Sequence, residues 1–89
     1  MAQSTVSLVN RLGLHARAAA KFVHVTSRFS SQITVRYNEE EVNGKSILGL
    51  LLLAAPCGSE LTVTADGDDA PEALAAVEAL IGELFGEPE

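Results

Sequence analysis

The sequence predicts an α+β two-layer sandwich, with four short strands and three helices in the order βαββαβα. Several stretches alternate apolar and polar residues with a period of two, and longer ones repeat apolar residues every three or four positions. Length is the third observation. At 89 residues, 47% hydrophobic and 20% charged, the chain supports one core, so residues 1–89 read as a single domain.

Residues 4–9 (STVSLV) form the first expected strand, with Val6 and Leu8 on one face, until Asn10 and Gly13 interrupt it. A helix is expected over Ala16–Phe29. Ala19, Phe22, Val23, Thr26 and Phe29 make its buried stripe, and Arg17, Lys21, His24 and Arg28 its polar face. Gln32–Tyr37 (QITVRY) alternates as a second strand, and Glu41 and Val42 belong to a third that ends at an Asn43–Gly44 turn. Glu39, Glu40 and Glu41 have no neighbouring histidine in sequence and read as a solvated acidic run, not a metal site.

Ser46 precedes the run ILGLLLLAA, where its hydroxyl is suited to cap a short helix. That run is too rich in leucine for one buried stripe. Either Leu48, Leu51 and Leu52 contribute an exposed docking patch, or nearly all of the run is core. Pro56 and Gly58 end the element, and Cys57 between them has no sequence-local base or metal partner. Glu60–Ala65 (ELTVTA) is the fourth strand. The last helix opens with Asp69 and Glu72 at capping-box spacing and Pro71 in its first turn. Leu74, Val77, Ile81 and Leu84 give its buried face, and Gly86 and Pro88 are expected to stop or fray the end. The expected core comprises Val6, Leu8, Phe22, Ile33, Val35, Leu61, Val63, Leu74, Val77 and Ile81.

Chemistry concentrates at residues 10–21, NRLGLHARAAAK. Gly13 permits a turn that a Cβ would resist, Leu14 is an apolar anchor, and strong helix formers follow from Ala16. His15 is thereby delivered, exposed, to a helix start whose unpaired N–H groups, with Arg17 nearby, favour a phosphate or carboxylate. A neutral imidazole there is a competent nucleophile. Local physics alone favours a solvated or capping histidine at His15, and favours a polar-face role for mid-helix His24.

The net charge of −6 disfavours nonspecific nucleic-acid binding. Its distribution is uneven. Residues 1–45 hold all six basic residues and three acids, leaving +3, whereas residues 46–89 hold nine acids and no basic residue, leaving −9. The basic groups surround the histidine segment in sequence, which suits acidic protein partners. A single cysteine excludes an internal disulfide and fits a reducing cytoplasm. The opening residues lack a basic leader with a long apolar segment, and the apolar stretch at 47–56 is far shorter than a membrane span, so no direct membrane insertion is expected.

The segment GLHARAAAKF resembles the active-site segment of the histidine-containing phosphocarrier (HPr) family of the bacterial sugar phosphotransferase system. NGKSILGLLLL at 43–53 resembles that family's regulatory serine and short helix, and the resemblance extends over nearly the whole chain. It implies an open-faced antiparallel sheet in strand order 1-4-2-3, covered on one face by three helices. It also implies that His15 carries a phosphoryl group on Nδ1 with Arg17 assisting, and that Ser46 is a regulatory phosphorylation site. Implied partners are enzyme I as donor, EIIA-type domains as acceptors and an HPr kinase/phosphorylase. Lys21, His24, Ile47, Leu48 and Leu51 are the expected partner-binding residues, on a cytoplasmic monomer that needs no cofactor or metal. Ala18 stands where the family commonly has proline, and Leu48 and Leu51 where it often has methionine, making the turn less preorganised and the patch less adaptable.

The chain thus reads as an intermediate carrier of phosphoryl groups and not as a stand-alone enzyme. The alternative is a noncatalytic or nitrogen-type regulatory binding protein that keeps the basic and leucine surfaces without using His15.

Overall fold

A computed structural model describes residues 1–88 of the chain. The elements are β1 (Ala2–Ser7), α1 (Ala16–Thr26), β2 (Gln32–Tyr37), β3 (Glu40–Asn43), α2 (Ile47–Leu53), β4 (Glu60–Asp66), α3 (Ala70–Gly82) and a terminal 3-10 turn, Leu84–Gly86. The strands form one antiparallel sheet in the order β1-β4-β2-β3.

Alternation along the strands separates the two faces of that sheet. Val6 pairs with Leu61, Val35 with Val63, and Ile33 with Ala65, and all six are buried. The opposite face carries the polar rows Thr5–Thr62–Arg36–Glu41 and Gln3–Thr64–Thr34–Asn43. The helices cover the apolar face: Ala18, Ala19 and Phe22 of α1, Leu50 and Leu53 of α2, and Leu74, Val77 and Ile81 of α3 share its core. All ten expected core residues are buried.

Element ends depart from the sequence reading where long-range contacts intervene. The first strand lies over Ala2–Ser7, not residues 4–9, because Leu8 leaves the ladder to exchange hydrogen bonds with the β4 approach, Leu8 N to Ser59 O at 2.9 Å and Gly58 N to Leu8 O at 2.8 Å. α1 ends at Thr26, three residues short of Phe29. Arg28 and Phe29 donate instead to carbonyls three residues back, and the amides of Ser30 and Ser31 are taken by the Asp69 carboxylate, each at 2.9 Å.

Asp69 therefore does not form the expected capping box. Its side chain makes no cap bond to α3 and is spent on the backbone and hydroxyls of Ser30 and Ser31. The Ser31 hydroxyl is the largest influence holding this carboxyl down at about 2, followed by the Ser30 amide. At the other end of α3 the buried position falls to Phe85, while Leu84 is only half-buried.

Candidate functional site

The site is built from Gly13 upward. Gly13 has φ +67°, and a Cβ there would lie 2.6 Å from the Ala55 carbonyl oxygen, so conformation and space both require glycine. Leu14 donates its N–H to Ala55 O at 2.9 Å and buries its side chain. This anchor places His15 as the N-cap of α1, with extended backbone at φ −87° and ψ −178°.

The His15 carbonyl accepts the Ala19 N–H at 2.8 Å, while the ring makes no cap bond. An α-helix that begins this way has no acceptor four residues back for the amides of its first turn, here Ala16, Arg17 and Ala18. The helix dipole adds a partial positive charge at the same place. His15 and Arg17 border a cavity of about 630 Å³ that Arg11 and Leu12 also line. Two guanidinium groups and the first-turn amides beside an imidazole are suited to a tetrahedral anion, with one carboxylate, Glu87, also on the cavity wall.

The ring is less exposed than the sequence reading expects: its side chain is 27% accessible, and Nε2 meets the Glu87 carboxylate. Glu87 also accepts from Asn10 Nδ2 at 2.9 Å, and that same nitrogen donates to Gly13 O at 2.7 Å. Burial pushes the Glu87 carboxyl up, but the hydrogen bonds from Asn10 and His15, with attraction to His15 and Lys21, outweigh it and hold the carboxyl below its ordinary value.

Glu87 reaches the site because the chain end doubles back instead of fraying. Leu84 and Phe85 adopt left-handed backbone, φ 59° and 55°. For non-glycine residues this costs about 1–2 kcal/mol each. Burying the Phe85 ring offsets about 1.5–3 kcal/mol of that cost. Lys21 Nζ adds a hydrogen bond to Phe85 O at 2.6 Å.

The other expected site residues are placed as follows. Arg17 is exposed on the cavity wall, and His24 is exposed in the last turn of α1. Lys21 is half-buried and tied to the chain end. Ser46 caps α2, its Oγ accepting from Gly49 N at 3.0 Å. Ile47 and Leu48 are 42% and 68% exposed, as is Leu52 at 67%, whereas Leu51 is partly buried against the core. Sequence reading missed Glu87 and Asn10. Neither belongs to a periodic pattern, and Glu87 lies 72 residues from the histidine it meets. Among the described residues there is no cluster of potential metal ligands, and no helix is long and apolar enough to cross a membrane.

Comparison with known proteins adds the family context. A family profile described as the PTS HPr component phosphorylation site matches residues 2–83. The phosphocarrier protein HPr of Neisseria meningitidis serogroup A is 45% identical over 89 residues, covering 100% of both chains. The crystal structure of HPr-C-His from Thermoanaerobacter tengcongensis superposes with a TM-score of 0.96 at 44% identity, again over 100% of both chains. A crystal structure of an HPr dimer from the same organism matches with a TM-score of 0.79 at 45% identity, over 98% of this chain and 100% of that one.

Proposed function

We infer the chemistry of the site from one premise: the chain belongs to the HPr phosphocarrier family of the phosphotransferase system. It is a phosphoryl carrier of that system. His15 Nδ1 accepts the phosphoryl group from phosphorylated enzyme I and passes it to an EIIA-type domain. The observation that carries this assignment is the position of His15 as an N-cap whose ring leaves the first-turn amides uncapped and borders the cavity shared with Arg17.

Each component has a physical task. The anchored turn holds the nucleophile in place, so little orientational freedom is lost on encounter. The first-turn amides and Arg17 stabilise the charge on the equatorial oxygens of the transferring group. Ile47, Leu48 and the neighbouring Leu52 offer an exposed apolar patch for both partners, and α1, which packs against α2, adds the exposed Arg17 and His24. Because Leu51 is partly buried, it supports that patch from beneath. A phosphoryl group added to Ser46 by an HPr kinase/phosphorylase would place about two negative charges beside Ile47 and Leu48, opposing the docking of an acidic partner. The working form is a cytoplasmic monomer.

Incubation with enzyme I and phosphoenolpyruvate, followed by intact-mass measurement at mildly alkaline pH, tests the assignment. The protein gains one phosphoryl group, and His15→Ala gains none while melting as a folded protein. A phosphoryl group retained by His15→Ala would overturn the assignment of the acceptor.

A further inference from the structure

We propose that Glu87, oriented by Asn10, is a positioning residue for the phosphoryl-transfer step: it holds the proton of the His15 ring on Nε2, so that the lone pair is presented at Nδ1. This rests on the reading of His15 as the phosphoryl acceptor. A neutral imidazole has one N–H and one lone-pair nitrogen, and an ionised carboxylate only accepts. Glu87 at Nε2 therefore selects the tautomer whose nucleophilic nitrogen is Nδ1.

The carboxylate is itself held by Asn10, and the backbone leading to it by Lys21 and Phe85. Asn10 is fully buried, and its amide nitrogen faces two acceptors, Gly13 O and Glu87 Oε1, which fixes the orientation of the amide. That orientation leaves Asn10 Oδ1 buried without a partner. An unsatisfied buried oxygen is costly, and here it accompanies an amide committed to both the glycine turn and the tail carboxylate. Phe85 is buried and Lys21 ties its carbonyl, so the two residues before Glu87 are fixed as well.

The step balances without moving that proton. The Nδ1 lone pair forms the new N–P bond as the bond from phosphorus to the donor's leaving atom breaks, and that atom keeps the electron pair. The ring then carries phosphorus on Nδ1 and hydrogen on Nε2, and its positive charge faces the Glu87 carboxylate. In the onward transfer the same ring leaves with its Nδ1 lone pair, again neutral and still protonated at Nε2. The other charged groups facing this pair are Arg11 and Arg17 on the cavity wall and Lys21 from α1.

Glu87→Ala and Glu87→Gln test the proposal, since Glu87 follows the last helix and both substitutions leave the core intact. Nitrogen-15 NMR of the His15 ring in the unphosphorylated protein reads the tautomer directly. The wild type is expected to hold the Nε2–H form, and Glu87→Ala to shift towards a mixture. Phosphoryl transfer from phosphorylated enzyme I slows about tenfold in Glu87→Ala, the loss of one charge-assisted hydrogen bond. Glu87→Gln, which keeps an acceptor without the charge, falls between. An unchanged tautomer and an unchanged transfer rate in Glu87→Ala would overturn the proposal. If the wild type took up no phosphoryl group, the assignment of His15 as acceptor would fail, while the NMR measurement would still decide the role of Glu87.

Discussion

Two helix starts in this chain use an extended N-cap residue for opposite ends. At α2, Ser46 turns its hydroxyl onto the Gly49 amide and closes the helix start. At α1, His15 occupies the equivalent position, but its ring makes no cap bond and faces Glu87. The first arrangement satisfies an orphan donor within the helix. The second leaves the donors for an external anion, at the expense of the roughly 1 kcal/mol a good cap contributes. On the proposed function, an N-terminal amide cluster serves as a site through what its cap residue declines to do. At the third start, Asp69 has the right chemistry to cap α3 but is drawn away to Ser30 and Ser31.

Substitutions that exchange these roles sharpen the comparison. His15→Ser has the largest expected effect: transfer from enzyme I is abolished, and in a Glu87→Ala background, where the bond from the ring to Glu87 is already absent, the hydroxyl caps α1 and raises stability by about 0.5–1 kcal/mol. A phosphoryl-transfer assay beside urea denaturation reads both, and a destabilised variant would break the contrast between the two helix starts. Ser46→Ala is the reciprocal change. It costs about 1 kcal/mol of stability in the same denaturation measurement, with His15 phosphorylation retained.

The smallest effect concerns Asp69 and appears with acid. Its folded-state carboxyl lies at about 2, below the ordinary 3.8. The stabilisation it gives is thus fully present above the ordinary value and is lost as pH falls through the folded value. The stability difference between wild type and Asp69→Asn should therefore be constant near neutrality and shrink below pH 3.8 towards 2. Thermal melts across that range check the trend, with phosphoryl transfer at neutral pH unchanged because Asp69 is remote from His15.

Much of this was legible before any fold was known. Strand alternation at Ile33, Val35, Leu61 and Val63, and helical spacing at Leu74, Val77 and Ile81, identified the sheet face and the helix face that meet. Gly13, Leu14 and His15 marked a candidate site through a turn, an apolar anchor and a helix start, all local features, and the resemblance to the HPr family raised it above the capping or solvated reading. Local propensity also marked Asp69 as a cap and Gly86 as a fraying end, and in both cases tertiary contacts prevailed. Asp69 gains four hydrogen-bond donors from one turn of chain instead of one from its own helix. The chain end gains a buried phenyl ring and a lysine tie that offset two left-handed residues.

The sequence by itself determined the core and the faces that meet in it, because these depend on periodicity, whereas the strand order and the reading of His15 came from the resemblance of residues 13–22 and 43–53 to the HPr family. The tertiary structure alone decided which acid lies against His15. That choice depends on Asn10, Lys21, Phe85 and Glu87 converging from opposite ends of the chain, and contacts across so many residues leave no periodic trace in the sequence.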